Sequence, residues 1–159
     1  MFREMRRKKQ ALTMEECEQI LQKGTSGVLA VAGDDDYPYA APLSYIYWNG
    51  KLYFHCAKSG HKLDAIARNE KASFCVIGQD NVLPEEYTTD YRSVIVFGKI
   101  CVLEDDDAKR AAMEALGRKY APEASDARLQ AEIDGYWKPL CVLEMSIDHM
   151  SGKRRKKAQ

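Results

Sequence analysis

The stretch PYAAPLSYIYWNGKLYFHCAKSGHKLDAI, Pro38 to Ile66, decides how the chain is read. Pro38 to Trp48 is rich in tyrosine and aliphatic residues, the composition of a strand. It runs into Asn49-Gly50, the dipeptide that best fits a type I′ hairpin turn. Lys51 to His55 returns as the second strand of that hairpin. After Ser59-Gly60 the period changes, because Leu63, Ile66 and Ala67 fall at i, i+3 and i+4 and give a short helix one apolar face. Two of the three histidines, His55 and His61, crowd this strand-to-helix junction with Lys58 and Lys62.

On the N-terminal side, TMEECEQILQKG reads as a helix: Thr13 can cap it, Glu16 stands at capping-box spacing, and Gly24 ends it. Ser26 to Ala32 follows as a strand. On the C-terminal side, Ala72 to Gly78 is a strand, Gln79 to Asp90 a polar loop, and Tyr91 to Glu104 the longest strand, where Gly98 signals a bulge or a close approach. Three aspartates open a helix that Pro122 stops, favourably placed at its positive end. A weaker helix, Ser125 to Tyr136, precedes a last strand, Pro139 to Ile147, and a tail. About six strands, three or four short helices and a hairpin predict a mainly β domain, an antiparallel barrel with helices packed outside. The expectation is one domain over 1–159, with residues 1–11 and 154–159 as mobile basic tails.

Lys plus Arg equal Asp plus Glu at 24 each, so no net field draws the chain to nucleic acid or an anionic membrane. The basic C-terminal run has no interleaved aromatics, and it reads as a solvated end rather than a nucleic-acid site. The five cysteines form no CxxC and no metal-ligand spacing, so no metal is expected and a reducing cytoplasm is. The basic start runs into TMEECEQ where a signal peptide needs apolar residues, and no window is apolar enough to span a bilayer.

At the junction, Ser59 is placed to cap the helix, and Gly60 lets another group approach the backbone. Free helix-start amides with Lys58, His61 and Lys62 around them make a phosphate cradle; the plainer reading is a capped helix with exposed basic side chains. His55 ends a strand and is expected to point into the interior or a cleft, as a functional imidazole or as a half-buried one bonded to a carbonyl. Cys56 would face the other way, as a buried thiol.

The order of elements, with YAAPLSYIYWNGKLYFH, the SGHK helix start, YRSVIVFG (Tyr91 to Gly98) and the late SIDHMSGK (Ser146 to Lys153), resembles the FMN-binding split-barrel proteins related to pyridoxamine phosphate oxidase. It is most similar to their 5-nitroimidazole-resistance, or Nim-type, branch, over about Thr13 to Lys153. The resemblance implies an antiparallel split β-barrel and a homodimer with FMN in a cleft at its interface. It implies that Ala41, Pro42, Leu43, Ser44 and Tyr45 run beside the flavin ring and that Ser59, Gly60, His61 and Lys62 hold the phosphate. Ser93, Gly152 and Lys153 would contact the cofactor too. Met150 stands where many relatives carry tryptophan, and a thioether can still lie on a ring face. His55 matches a histidine near the flavin and would be the catalytic residue. The implied function is a flavin-dependent oxidoreductase taking electrons from a nicotinamide or protein donor, with 5-nitroimidazole-type nitro reduction as the specific activity suggested. The alternatives on the same fold are a haem-binding protein and a non-catalytic flavin-binding or sensor module.

Overall fold

The hairpin forms as its turn requires. In the computed structural model, which describes residues 1–155, Asn49 and Gly50 have φ of 51° and 71°, the paired left-handed residues of a type I′ turn. They join β3 (Ile46–Trp48) to β4 (Lys51–Ala57). The other strands are β1 (Ser26–Ala32), β2 (Pro38–Ser44), β5 (Lys71–Leu83), β6 (Thr88–Val102) and β7 (Leu140–Arg154). They make one antiparallel sheet in the order β2-β1-β5-β6-β7-β4-β3.

That order forces the curvature. The two edge strands, β2 and β3, are separated in sequence by Tyr45 alone, so the sheet must curl until its edges meet. The result is a barrel whose interior holds Phe54, Phe74, Leu29, Leu52, Leu143 and Met145. The helix α1 (Met14–Lys23) packs across β3, β5, β6 and β7, and its predicted capping box is present, with Thr13 Oγ1 accepting from the Glu16 amide at 3.2 Å and Glu16 from that of Thr13 at 2.8 Å. Beyond α2 (His61–Arg68), α3 (Asp106–Tyr120) lies outside the barrel over Tyr53, Ile46 and Val142, and α4 (Asp126–Tyr136) packs against α3. Trp137, after α4, is flanked by Lys109 at 4.3 Å and Arg110 at 4.9 Å from its ring centre.

Three boundaries differ from the sequence reading. Pro38 to Trp48 is two strands, because Tyr45 turns its ring into the core while its N–H and C=O bond the Tyr120 hydroxyl and its C=O also accepts from Lys119, with no strand partner. The polar stretch Gln79 to Asp90 is a continuation of the β5–β6 ladder, with a turn at Pro84–Tyr87. None of its residues is buried, so no apolar alternation marks it. Finally β7 runs on to Arg154, past a register shift opposite Phe97 and Gly98. Gly98 is needed there because the Ser146 carbonyl oxygen occupies the place of a β-carbon.

Contacts join parts of both expected tails to the barrel, and Arg154 is the last residue of β7. Phe2 stacks on Phe97 and His149 with ring centres 5.5 and 4.8 Å away, and Ala11 bridges to Lys153. Arg154 pairs with Glu16 at 3.1 Å and Arg155 with Glu86 at 2.6 Å. The rest of that expected tail, 156–159, lies outside the described residues. Among the described residues no helix is long and apolar enough to cross a membrane, and no group of three or more His, Cys, Asp or Glu side chains is placed to hold a metal ion.

Candidate functional site

Strand alternation sends Leu52, Phe54 and Cys56 into the barrel and Tyr53, His55 and Ala57 outward. The chain then turns through Gly60, whose φ of 137° favours glycine, and an added β-carbon there would meet nothing within 4 Å. Ser59 does not cap α2. Gly60 occupies the cap position and no side chain accepts from the first turn, which leaves its leading amides available to an external acceptor.

The cations at this corner divide. His61 Nε2 accepts from the Asp34 amide at 3.2 Å and its ring lies 4.1 Å from that of Tyr39, so this imidazole is committed to the Asp34 turn, which Arg68 also holds at 2.9 Å. Lys58 and Lys62 have no carboxylate partner among the described residues. Burial, and then the nearby Lys62 charge, pull the His55 imidazole below its usual value, so it is neutral at pH 7. The Cys56 thiol is pushed up to about 11 by burial first and then by Cys141, its partner across β4 and β7. It is an unreactive thiol, as the alternation predicted.

The remaining candidates sort by face. Register aligns Pro42, Val28, Cys75, Ile95 and Ser151 in one row across β2, β1, β5, β6 and β7, and Ser93 pairs with Lys153 two residues along. Pro42, Ser44, Ser93 and Lys153 therefore share the outer face, on which Val28, Ile77, Ile95 and Phe97 form an exposed apolar surface. Their neighbours point the other way: Ala41 is buried, and Leu43 and Met150 pack against the core. The Tyr45 hydroxyl, buried with its ring, donates to the Leu21 carbonyl at 2.6 Å. Gly152 is closed over by Leu12 and Cys17. A run of consecutive strand residues cannot line one ligand with its side chains. The Gly33 amide donates to the Tyr37 carbonyl, so the hydrogen-bonded pairs of this ladder include Leu29 with Ala41 and Gly27 with Leu43. Those two residues of β2 spend their backbone groups on β1, and the open edge of β2 presents backbone groups of Ala40, Pro42 and Ser44 instead.

Distance separates the groups further. His55 pairs with Val142 and Ser93 with Lys153, eleven residues apart on β7, which is roughly 35 Å of strand at about 3.3 Å per residue. His55 and Ser93 of one chain therefore lie beside opposite ends of β7.

Above His55 lies a cavity of about 410 Å³ between β4 and the α3–α4 pair, lined by Met113, Leu129, Ile133, Tyr136 and Leu140 among others. Nothing local in the sequence marks these residues as a site, because each reads as an ordinary helix or strand residue and only the stacking of α4 on α3 brings them over β4.

The model of the pyridoxamine 5'-phosphate oxidase family matches residues 13–154. The chain belongs to this family. Family and fold agree: the antiparallel barrel with flanking helices is the split-barrel architecture of pyridoxamine 5'-phosphate oxidase relatives. A protein from Bacteroides thetaiotaomicron described as a candidate 5-nitroimidazole antibiotic resistance protein is similar in structure, with a TM-score of 0.75, 21% identity, and coverage of 90% of this chain and 85% of that one. A conserved hypothetical protein from Mycobacterium tuberculosis has a TM-score of 0.81 at 16% identity, covering 96% and 91%. An FAD and haem binding protein from Mycobacterium smegmatis has a TM-score of 0.73 at 24% identity, covering 93% and 74%. None of the curated proteins matches the chain.

Proposed function

We propose that the chain is an FMN-dependent oxidoreductase that works as a homodimer, with the flavin between protomers. The observation that carries this reading is the division of the candidate residues. Lys62, the uncapped α2 amides and His55 lie at one corner, whereas Pro42, Ser44, Ser93 and Lys153 lie on an exposed apolar face. A second copy packed on that face would bring to each corner residues that on its own chain lie toward the other end of β7, and would cover Val28, Ile77, Ile95 and Phe97. The residues fit the cofactor: Lys62 and the free amides suit a phosphate, and the open edge of β2 suits the hydrogen-bonding rim of a flat ring. Bound there, the flavin supplies electron transfer from a nicotinamide or protein donor. His55, neutral near pH 7, can hydrogen-bond the acceptor through its ring N–H and orient it. Nitro groups of the 5-nitroimidazole type are the acceptors we propose, with support from the fold shared with the Bacteroides protein.

The test is Ile95→Glu, examined by size-exclusion light scattering and absorption after adding FMN and removing the excess. Ile95 is 42% exposed in the single chain, so the charge is tolerated in a monomer and not in an interface. Wild type is expected to be a yellow dimer and the variant a colourless monomer. A wild-type monomer that keeps flavin overturns the interface, and a wild-type protein that never retains FMN overturns the flavin reading. A second reading, haem ligation, is favoured by one observation, the neutral, solvent-reached imidazole of His55; a Soret band would choose it.

A further inference from the structure

The helix α4 rests on α3 rather than on the sheet, and Ile133 is its one buried residue. Tyr53 is covered by the α3 cluster, but His55 and Ala57, further along the same face of β4, are left uncovered. The gap is the cavity of about 410 Å³. That volume is within the range of about 300–1,000 Å³ typical of small-molecule sites. Met113, Leu129, Ile133 and Leu140 give this solvent-open cleft an apolar lining that a ligand would remove from water. No lysine or arginine lines it and Glu132 does; Lys62, whose charge is felt at His55, stands outside the lining, so an anionic ligand meets no direct countercharge in the cavity. His55 presents a neutral imidazole, one donor and one acceptor, from the β4 side; Glu132 and Tyr136 are at the exposed rim.

We propose that this cavity binds a neutral, flat compound of one or two rings whose polar edge hydrogen-bonds His55, at a site that adjoins the phosphate-holding corner and shares His55 with it. The slot between a strand and a helix layer selects flatness, the apolar lining selects a ring, and the single inward polar group fixes its orientation. The inference rests on the oxidoreductase reading in that it names where a flat acceptor would sit; because ring binding is read without flavin, its failure and the failure of flavin binding are separate results.

The test is an amide NMR titration of the full chain with indole at neutral pH, beside indole-3-carboxylate as its charged counterpart. Indole is expected to give saturable shifts centred on Ala57, Met113 and Ile133, and the carboxylate to bind about tenfold more weakly or less, for want of a countercharge. Met113→Trp and Leu129→Trp each fill the cavity and are expected to abolish the shifts while far-UV dichroism stays native. His55→Phe keeps the shape and loses the hydrogen bond, with an expected loss of about fivefold. Indole that fails to saturate overturns the proposal. So does undiminished binding in whichever tryptophan variant remains folded, or shifts centred elsewhere.

Discussion

Replacing Tyr45 with phenylalanine removes one oxygen atom, and the structure says what that oxygen does. It donates to the Leu21 carbonyl at 2.6 Å from a residue with no solvent exposure. Leu21 stands in the last turn of α1, where carbonyls lack intrahelical partners, so the phenol satisfies a group that would otherwise be buried and unpaired. The ring itself stays, packed on Phe74 at 4.9 Å and under Lys119 at 4.3 Å, so the substitution opens no cavity. Leaving a buried carbonyl unsatisfied costs about 1–3 kcal/mol. With a urea m-value of about 2 kcal/mol/M, the midpoint should fall by roughly 0.5–1.5 M at unchanged slope. Burial first, and then Tyr120, raise the Tyr45 phenol above its ordinary value. The contribution is therefore full below the unfolded value of about 10 and is lost as pH rises from there through the folded value. The gap between wild type and Tyr45→Phe should narrow in alkali. FMN affinity should be unchanged, since the side chain faces the core. A stability loss under about 0.5 kcal/mol would refute the hydrogen-bond reasoning. An FMN affinity lowered about tenfold would return Tyr45 to the ligand site.

Lys62→Ala should weaken FMN binding by about 1.5–3 kcal/mol, roughly tenfold to over a hundredfold by fluorescence titration, and an unchanged affinity removes Lys62 from the phosphate site. His55 has a depressed imidazole value, so its contribution to stability is full above the unfolded value of about 6.5 and is lost as pH falls below it through the folded value. His55→Gln should therefore lose less stability than wild type on acidification across that window, read as urea midpoints, and equal losses would show that the imidazole is not crowded in solution. Gly98→Ala should destabilise by about 3 kcal/mol or more, because its new carbon meets the Ser146 carbonyl rather than a movable side chain. A midpoint near wild type would mean that the bulge relaxes freely.

Elements whose signals are local were legible. The Thr13–Glu16 capping box and the Asn49-Gly50 turn each depend on residues within a few positions of one another. Gly98 signals a bulge or a close approach because glycine inside an apolar strand has few other uses, and both are present. Where the local signal was ambiguous, the reading slipped. Gln79 to Asp90 lacks apolar alternation because none of its residues is buried, and Ser59 looks like a cap until the φ of Gly60 is known.

The sequence alone determined the fold class and the family, since period, turns and motif order are carried by residues close together along the chain. It also determined that Lys58, His61 and Lys62 would meet at one helix start. Only the tertiary structure decided what each of them is free to do. His61 is spent on Asp34, 27 positions away, and Lys62 is not. Likewise the resemblance groups Ala41 to Tyr45 beside one ligand, as it does Met150, Gly152 and Lys153, and the sheet sends Ala41, Leu43, Met150 and Gly152 to one face and Pro42, Ser44 and Lys153 to the other. The cavity over His55 comes from α4 resting on α3 instead of the sheet. The reason is common to all three: which partner consumes a polar group, and which face a side chain shares, are set by packing between segments distant in sequence, for which no local pattern of residues carries a signal.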